Sequence, residues 1–466
     1  MKILLIYTPP HLSEKTRQNQ GLSPPLGILS LATLLLQKNH EVVVKDYSTE
    51  PFDLTELGSL LKHIEVVGLT ALTYNLESVK TIIEFIKKRN CSITTIIGGP
   101  HPTMYPKKSL VDTKADFSVI GDAESSFPSL IEALEKNLDT SKIIGVCSEK
   151  NKTDDQIFPS VLEDIDTAPI PKRSLIKHLV YGRNYNPKIK AGEFTSITTS
   201  RGCPYNCRFC SRKALASGRF RSMSVGRIME ELEDIKAQGF RYVAFTDDCM
   251  LANKKHAIQL FKEIIRKNLD LKFYITNARV DDADYELFVL MKKAGVRYIQ
   301  FGLESANQDT LSFYKKSITV SDIVHAVNLS NSIGFITTGS FILGAPNESI
   351  KHLKKTIRLA KRLPLESASF NPLKYVAGSQ LWSEAVKQGK IKDSEYIVYA
   401  DKNSGLGNFS QKELFFWCSK AEILFYLRPK FFYFLLRSAL GKKNGSFVHA
   451  YLFFAANQLR LKILGK

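Results

Sequence analysis

The sequence predicts an α/β protein made of two successive runs of alternating strand and helix, followed by helices of a different character. Three observations carry this. Residues 1–140 alternate short apolar runs with helical apolar spacing, the pattern of an open, doubly wound parallel sheet with helices on both faces. Residues 194–375 repeat the alternation as six β/α units. Residues 376–466 hold helical patterns rich in Phe, Tyr and Leu, with Lys and Arg interleaved. Between the two runs, residues 141–193 are mixed and polar, with Pro169 and Pro171, and read as a connector.

In the first run the expected strands are 2–7, 41–47, 66–70, 93–97 and 117–120, and the expected helices 26–37, 54–63, 76–89 and 127–138. The opening Met1-Lys2-Ile3-Leu4-Leu5-Ile6-Tyr7 is too short an apolar run for a signal peptide and fits a first buried strand. Ligands of such sheets sit beyond the carboxyl ends of the strands. The turns 70–75, 98–103 and 121–124 fall there. Gly98-Gly99-Pro100-His101 stands out among them, because paired glycines let a backbone approach a ligand closely. A tight strand-to-helix turn needs glycine equally.

In the second run an expected strand, 194–199, leads into Ser200-Arg201-Gly202-Cys203-Pro204-Tyr205-Asn206-Cys207-Arg208-Phe209-Cys210. Then come helix 225–238, strand 242–246 ending in Asp247-Asp248, helix 255–267, and strand 272–276 ending near Asn277 and Arg279. Helix 283–294 leads to strand 298–303, ending in Glu304-Ser305. Helix 320–333, strand 336–343 ending at Gly344, helix 350–362 and strand 367–374 complete the series. Polar residues thus gather at the carboxyl ends, where parallel barrels carry their sites. Taken singly, each acid there is as readily a helix cap.

Cys203, Cys207 and Cys210 have the spacing C-x3-C-x2-C. Three thiolates suit an iron–sulfur cluster with one iron left open. The alternative is a structural zinc site, which usually closes with four Cys or His ligands in pairs. The next cysteine is Cys249, and the nearest histidines are His178 and His256. Seven cysteines, an odd count without a secretory signal, point to a reducing compartment. Cys249 itself fits either a small buried residue or a redox-active thiol.

The cysteine loop resembles the cluster motif of the radical S-adenosylmethionine (radical SAM) superfamily, C-x3-C-x-aromatic-C, with Phe209 as the aromatic and Gly202, Pro204 and Asn206 in matching surroundings. The resemblance implies a [4Fe-4S] cluster on Cys203, Cys207 and Cys210, S-adenosylmethionine (SAM) on its open iron, a 5'-deoxyadenosyl radical, and a partial (β/α)6 barrel. It also implies SAM contacts at matching strand ends. Asp247 and Asp248 would face the methionyl amine, and Arg279 a carboxylate or another polar ligand group. Glu304 and Ser305 of the G-x-E-S segment would lie near the ribose, and Gly344 and Phe209 beside adenine. The spacing within 339–348 departs from the family's G-x-I-x-G-x-x-E.

The first run resembles the Rossmann-like cobalamin-binding domain that precedes such barrels. Of its pattern, Gly27 matches the first glycine of D-x-H-x-x-G, Thr70-Ala71-Leu72 matches S-x-L with Thr for Ser, and Gly98-Gly99 matches G-G. Leu22 and Pro24 replace the Asp and the His. A bound cobalamin is therefore expected to lack a histidine ligand there, unless the domain has lost cobalamin. The resemblance implies contacts at Thr70, Leu72, Gly98, Gly99, His101 and Gly121, with His101 in the loop rather than on cobalt.

Together the resemblances imply a class B radical SAM methyltransferase-like enzyme that methylates an unactivated carbon. Ring formation, oxidation or rearrangement with the same cofactors stays open, and so does a non-catalytic cluster protein. The expected partners are a small-molecule substrate, with a lipid or other secondary metabolite among the options, and an electron donor such as flavodoxin or ferredoxin. The formal net charge of +19 fits an anionic substrate, a membrane surface or simply a lysine-rich exterior. No arginine-rich tract or RRM pattern is present, so no nucleic-acid partner is expected. No stretch reaches the ~20 apolar residues that span a bilayer, and a cytoplasmic location is expected. Helices at 414–426, 431–440 and 447–463, with Arg428, Lys430, Arg437, Lys442, Lys443, Arg460 and Lys462, are expected either to cap the barrel mouth or to make peripheral membrane contact.

Overall fold

The computed structural model describes residues 1–12, 23–151, 157–186, 188–429 and 431. The chain divides into two compact units, Met1–Tyr181 with Lys190–Gly192, and Gly182–Ile189 with the chain from Glu193 onward. Among the described residues no helix is long and apolar enough to cross a membrane. Leu22 and the expected helices 431–440 and 447–463, apart from Phe431, lie outside the described residues, as do Lys430, Arg437, Lys442, Lys443, Arg460 and Lys462.

The first unit runs β1 (Lys2–Tyr7), α1 (Leu26–Gln37), β2 (Glu41–Asp46), α2 (Leu54–Leu60), β3 (Val66–Thr70), α3 (Leu76–Arg89), β4 (Thr94–Gly98), α4 (Pro100–Met104), α5 (Pro106–Thr113), β5 (Phe117–Val119), α6 (Ala123–Glu135) and β6 (Val146–Ser148). Its sheet has the order β2-β1-β3-β4-β5-β6. All neighbours are parallel except β6, which pairs antiparallel with β5. Ile3, Leu4, Leu5 and Ile6 are all buried. Such a continuous apolar strand is what a sheet covered on both faces requires. Helix α3 contributes Val79, Ile82, Ile83 and Ile86 to one core cluster. Chain order reverses between β1 and β3, which places a ligand crevice at the carboxyl ends of these strands.

The expected connector is less free than its composition suggests. Strand β6 lies within it, Ser160 forms a parallel bridge with Gly121, and the Tyr181 hydroxyl donates to Asp46 Oδ2 at 2.6 Å. Its described residues up to Tyr181 therefore belong to the first unit.

The second unit runs β7 (Phe194–Ile197), β8 (Ser200–Arg201), α7 (Arg212–Leu215), β9 (Arg221–Ser222), α8 (Val225–Ala237), β10 (Tyr242–Phe245), α9 (Lys254–Lys267), β11 (Lys272–Ala278), α10 (Tyr285–Ala294), β12 (Val296–Glu304), α11 (Gln308–Phe313), α12 (Val320–Ile333), β13 (Ile336–Leu343), α13 (Ile350–Arg362), β14 (Ser367–Pro372), β15 (Lys374–Val376), α14 (Gln380–Lys387), β16 (Ile397–Tyr399) and α15 (Gln411–Tyr426). Strands β7, β10, β11, β12, β13 and β14 lie side by side in chain order, all parallel. This is the wall of a six-stranded open barrel. Phe245, Phe273, Phe288, Phe301, Phe341 and Phe370 are wholly or almost wholly buried in it, each worth roughly 1.5–3 kcal/mol of burial.

Helix α15 takes the edge of this wall. It packs on β14 and α13. Leu414 near its start fills the space where a Cβ on Gly344 would lie, at 2.6 Å. Near its end the Tyr426 hydroxyl donates to Ala368 O at 2.9 Å and accepts from Ala368 N at 3.1 Å. The helix therefore runs beside the last strand, from its carboxyl to its amino end. An edge strand needs such cover.

Candidate functional site

Strand β7 delivers the chain into the cysteine loop, and the loop's root is held by Asp247 at the end of β10. Asp247 Oδ1 accepts from Thr199 N at 2.9 Å, Thr199 Oγ1 at 2.8 Å and Ser200 Oγ at 2.6 Å. Burial pushes this carboxyl up to about 6. The hairpin β8–β9 continues the support. Gly202 follows with φ +85°, and a Cβ there would lie 2.0 Å from Arg219 O, so only glycine fits. Asp248 differs from its neighbour. It is partly exposed and pairs with Arg212 Nε at 3.2 Å.

Cys203, Cys207 and Cys210 are each half-buried. The segment between the last two is fastened on both sides. Arg208 N donates to Tyr314 O at 3.0 Å, Arg208 O accepts from Leu381 N at 2.9 Å, and the guanidinium pairs with Glu384. Phe209 meets Tyr314 edge-on, with ring centroids 5.2 Å apart.

Two cations face Cys207. Arg279 lies 3.6 Å above the Tyr205 ring and makes a two-pronged bond to Asp281, at 2.9 Å on each oxygen. It also donates to Lys316 O at 2.7 Å and stands 3.9 Å from Cys207 Sγ. Lys316 is buried with its ammonium 2.6 Å from Glu304 Oε1. Burial alone would lower Lys316, but the Glu304 carboxylate and nearby Cys207 outweigh it, so the ammonium stays charged. Burial pushes the Cys207 thiol up, while Lys316 and Arg279 pull it back. Burial likewise raises Cys210. Cys203 is the more acidic of its pair because the buried Cys249 thiol bonds to it.

Residues implied for SAM thus divide into groups. Phe209, Arg279 and Glu304 gather around Cys207, with Glu304 linked through Lys316. Asp247 anchors the loop. Ser305 and Gly344 lie further along, joined by the buried Glu348. Its carboxylate accepts from Gly344 N at 2.7 Å, Ala345 N at 3.0 Å and Ser305 Oγ at 3.3 Å. Ser305 also bonds within an internal set with Asn307 and Thr356. Gly344 owes its glycine to Leu414, since φ is +102° and a side chain would strike that residue.

In the first unit, the expected cobalamin residues line adjacent strand ends. His101 is wholly buried. Its Nδ1 lies 3.2 Å from Thr73 Oγ1, its N donates to Ala71 O at 3.2 Å, and burial lowers it to about 4. It is a neutral strut between the β3 and β4 turns. Gly99, at φ +107°, has Ala71 O 3.1 Å from where a Cβ would be, and Gly121, at φ +80°, has Ser160 O at 2.1 Å. Their glycine requirement comes from chain crossings. A Cβ on Gly98 would make only ordinary contacts. Thr70 and Leu72 are both tied to buried Asn75, whose amide donates to Thr8 O at 2.7 Å and Thr70 O at 3.2 Å while its oxygen accepts from Leu72 N at 2.7 Å.

Lys316, Tyr314 and Asn75 escaped sequence reasoning. Lys316 sits in Tyr314-Lys315-Lys316, which looks like a solvated charge pair. Asn75 precedes a helix and reads as a cap, yet its side chain organises the strand-end turns.

These side chains fit the implied groups. Iron–sulfur clusters are held by cysteine thiolates. The loop offers three half-buried thiols, one for each of three irons, and the cations at Cys207 suit an anionic cluster. In the first unit, buried His101 and ligand-free Pro24 fit a cobalamin held without a histidine on cobalt.

The family model of the Radical SAM superfamily matches residues 197–360, and that of the B12 binding domain matches residues 18–131. The chain is 31% identical to uncharacterized methyltransferase PH0819 of Pyrococcus horikoshii, over 92% of this chain and 93% of the relative. It is 26% identical to hopanoid C-3 methylase of Methylococcus capsulatus, over 79% of this chain and 70% of that one. It is also 26% identical to the anaerobic magnesium-protoporphyrin IX monomethyl ester cyclase of Rubrivivax gelatinosus, over 78% and 66%. Among solved structures, the radical SAM methyltransferase TsrM of Kitasatospora setae, with cobalamin and a [4Fe-4S] cluster bound, shares the fold with a TM-score of 0.68 at 20% identity, over 83% of this chain and 75% of that one.

Proposed function

The chain belongs to the radical SAM superfamily, among the members that carry a B12-binding domain, and from that premise we propose that it transfers a methyl group to an unactivated carbon of a small-molecule substrate. It is an enzyme whose cofactors are a [4Fe-4S] cluster, SAM and cobalamin. When bound, the cluster and SAM supply a carbon radical able to take hydrogen from an inert C–H bond, and cobalamin carries the methyl group.

Cys203, Cys207 and Cys210 would each hold one iron. Arg279 and Lys316 would offset the negative charge of the cluster, and Asp247 would keep the loop in place. Asp248 is the acid free enough to meet the ammonium of SAM. Glu304 would accept from the ribose hydroxyls with its remaining capacity, beside Ser305, while Phe209, Tyr314 and Gly344 would lie against the adenine. The turns bearing Thr70, Leu72, Gly98, Gly99, His101 and Gly121 would cradle cobalamin. The working division is 1–140 for cobalamin, 141–193 as a connector whose described part up to Tyr181 packs with the first unit, 194–375 for the radical step and 376–466 as a helical region. A one-electron donor of the flavodoxin or ferredoxin type would reduce the cluster.

The observation that carries this reading is the three-cysteine loop, whose Cys207 faces two buried cations at the head of a six-stranded parallel wall. Relatives named for methyl transfer support the choice of reaction. The cyclase relative favours a second reading, radical ring formation or oxidation without methyl transfer. The test is product analysis with SAM carrying a deuterated methyl group. Methyl transfer yields deoxyadenosine, S-adenosylhomocysteine and a product that retains the label. Deoxyadenosine and a changed substrate without S-adenosylhomocysteine would overturn it in favour of the second reading.

A further inference from the structure

Two neighbouring helices on the outside of the second unit present faces that the radical chemistry does not use. In α13, Leu353, Thr356, Ile357 and Ala360 point into the core, while Lys351, Lys354, Lys355, Arg358 and Arg362 are exposed. The helix contains no acid, and its first turn carries a lysine where the helix dipole favours a carboxylate. Among the described residues no carboxylate pairs with Lys351, Lys354, Lys355 or Arg358. These four neighbouring cations, without a carboxylate partner among the described residues and set partly against the dipole, repel one another and so point to an external anion.

Helix α15 lies against α13. Arg428, just past its end, donates to Leu363 O at 3.0 Å and is held at the end of α13. Leu414, Cys418, Ala421 and Phe425 form its buried face. The outer face exposes Phe416, Ile423 and Leu427, at 60%, 42% and 63%. Lys420 sits among them, 4.9 Å from the Trp417 ring centre and 5.6 Å from that of Phe416. Apolar bulk, an indole and a lysine on one face are the composition of a helix that lies in a lipid interface. The sequence continues the theme: residues 430–466 contain seven Lys or Arg and no Asp or Glu.

We propose that the joint exposed face of α13 and α15 docks on a bilayer surface rich in anionic lipid. Headgroup phosphates would neutralise the α13 row, and Phe416, Ile423 and Leu427 would enter the acyl boundary. A second copy of the chain fits poorly, because the same all-cationic row would face itself. Nucleic acid would satisfy the cations but offers nothing to Ile423 and Leu427. The inference concerns where the enzyme sits and stands independently of which radical reaction it performs.

The test is flotation of the full-length holoprotein with vesicles of phosphatidylcholine and phosphatidylglycerol at 70:30, against pure phosphatidylcholine, at low and high salt. The protein should float only with the anionic vesicles and be released by salt. Loss of each cation near such a surface weakens partition about fivefold, so the Lys354→Gln/Arg358→Gln pair should bind about 25-fold more weakly. Phe416→Ser/Leu427→Ser should lose about tenfold or more while keeping the salt dependence. Both variants should keep the wild-type cluster content and helical circular dichroism, since the changed side chains face solvent. Three results would each overturn the proposal: no flotation at low salt, flotation indifferent to both variants, or tighter binding to a single-stranded RNA 20-mer than to vesicles.

Discussion

Replacing Asp247 by alanine removes the acceptor from which the root of the cysteine loop hangs. Three donors, Thr199 N, Thr199 Oγ1 and Ser200 Oγ, converge on one buried oxygen. A buried backbone N–H left unsatisfied costs about 1–3 kcal/mol, and each of the two lost hydroxyl bonds about 0.5–1.5 kcal/mol, so the change totals about 2–6 kcal/mol. At about 1.4 kcal/mol per tenfold, the open loop becomes roughly 30- to 20,000-fold more populated. Asparagine keeps an acceptor oxygen. Because burial already pushes Asp247 up to about 6, the negative charge adds little, and Asp247→Asn should cost about 1 kcal/mol, or fivefold. The assay is iron and sulfide per chain after anaerobic reconstitution, then the rate at which a chelator bleaches the cluster. Asp247→Ala should bleach at least about 30-fold faster than wild type, and Asp247→Asn within about tenfold. If both variants hold the cluster and both lose SAM affinity equally, Asp247 serves the methionyl amine and the anchoring argument is wrong.

Further outcomes follow from the buried charges. Burial pushes Glu348 up to about 7 from its ordinary 4.5, so the folded state holds its proton more tightly than the unfolded one. Stability from this group is therefore fully present at low pH and falls as pH rises from 4.5 to 7, by about 3 kcal/mol in all. Denaturant titration of Glu348→Gln beside wild type should show a gap that moves by about that amount in the variant's favour between pH 5 and pH 8. A pH-independent gap would contradict it. Glu366, also raised to about 7, is present in both proteins and cancels. Lys316→Met leaves Glu304 as a buried unpaired charge and should destabilise the cluster-free protein by about 3–5 kcal/mol, most of which the Lys316→Met/Glu304→Gln double variant recovers. Strict additivity of the two single changes, measured by equilibrium unfolding, would show that the pair is not coupled.

The parts of the fold visible in the sequence are those written in local patterns. Strand β1 reads from Ile3 to Ile6 because a doubly covered strand is uniformly apolar, and the six strands of the second unit follow the spacing of their helices. The cysteine loop is legible because its ligands are adjacent in the chain. What was hidden depends on contacts between distant segments. Gly121 and Gly344 look like ligand-approach glycines, but Ser160 and Leu414 occupy the spaces where their side chains would be. Asp247 reads as a strand-end acid, but that its Oδ1 also anchors Thr199 and Ser200 could not be read from the sequence. Lys316 cannot be told from Lys315 until Glu304 is brought over it. Helix α6 begins at Ala123, earlier than its apolar pattern, because polar Ser125 and Ser126 fill the first turns and Pro128 masks the periodicity.

The central claim is that Cys203, Cys207 and Cys210 hold a cluster that cleaves SAM. Its most direct measurement is deoxyadenosine formation by anaerobically reconstituted protein with SAM and dithionite, for wild type and Cys207→Ala side by side. The account predicts one cluster per chain and deoxyadenosine from the wild type, and neither an intact cluster nor deoxyadenosine from the variant. Continued reductive cleavage by Cys207→Ala at the wild-type rate would contradict it.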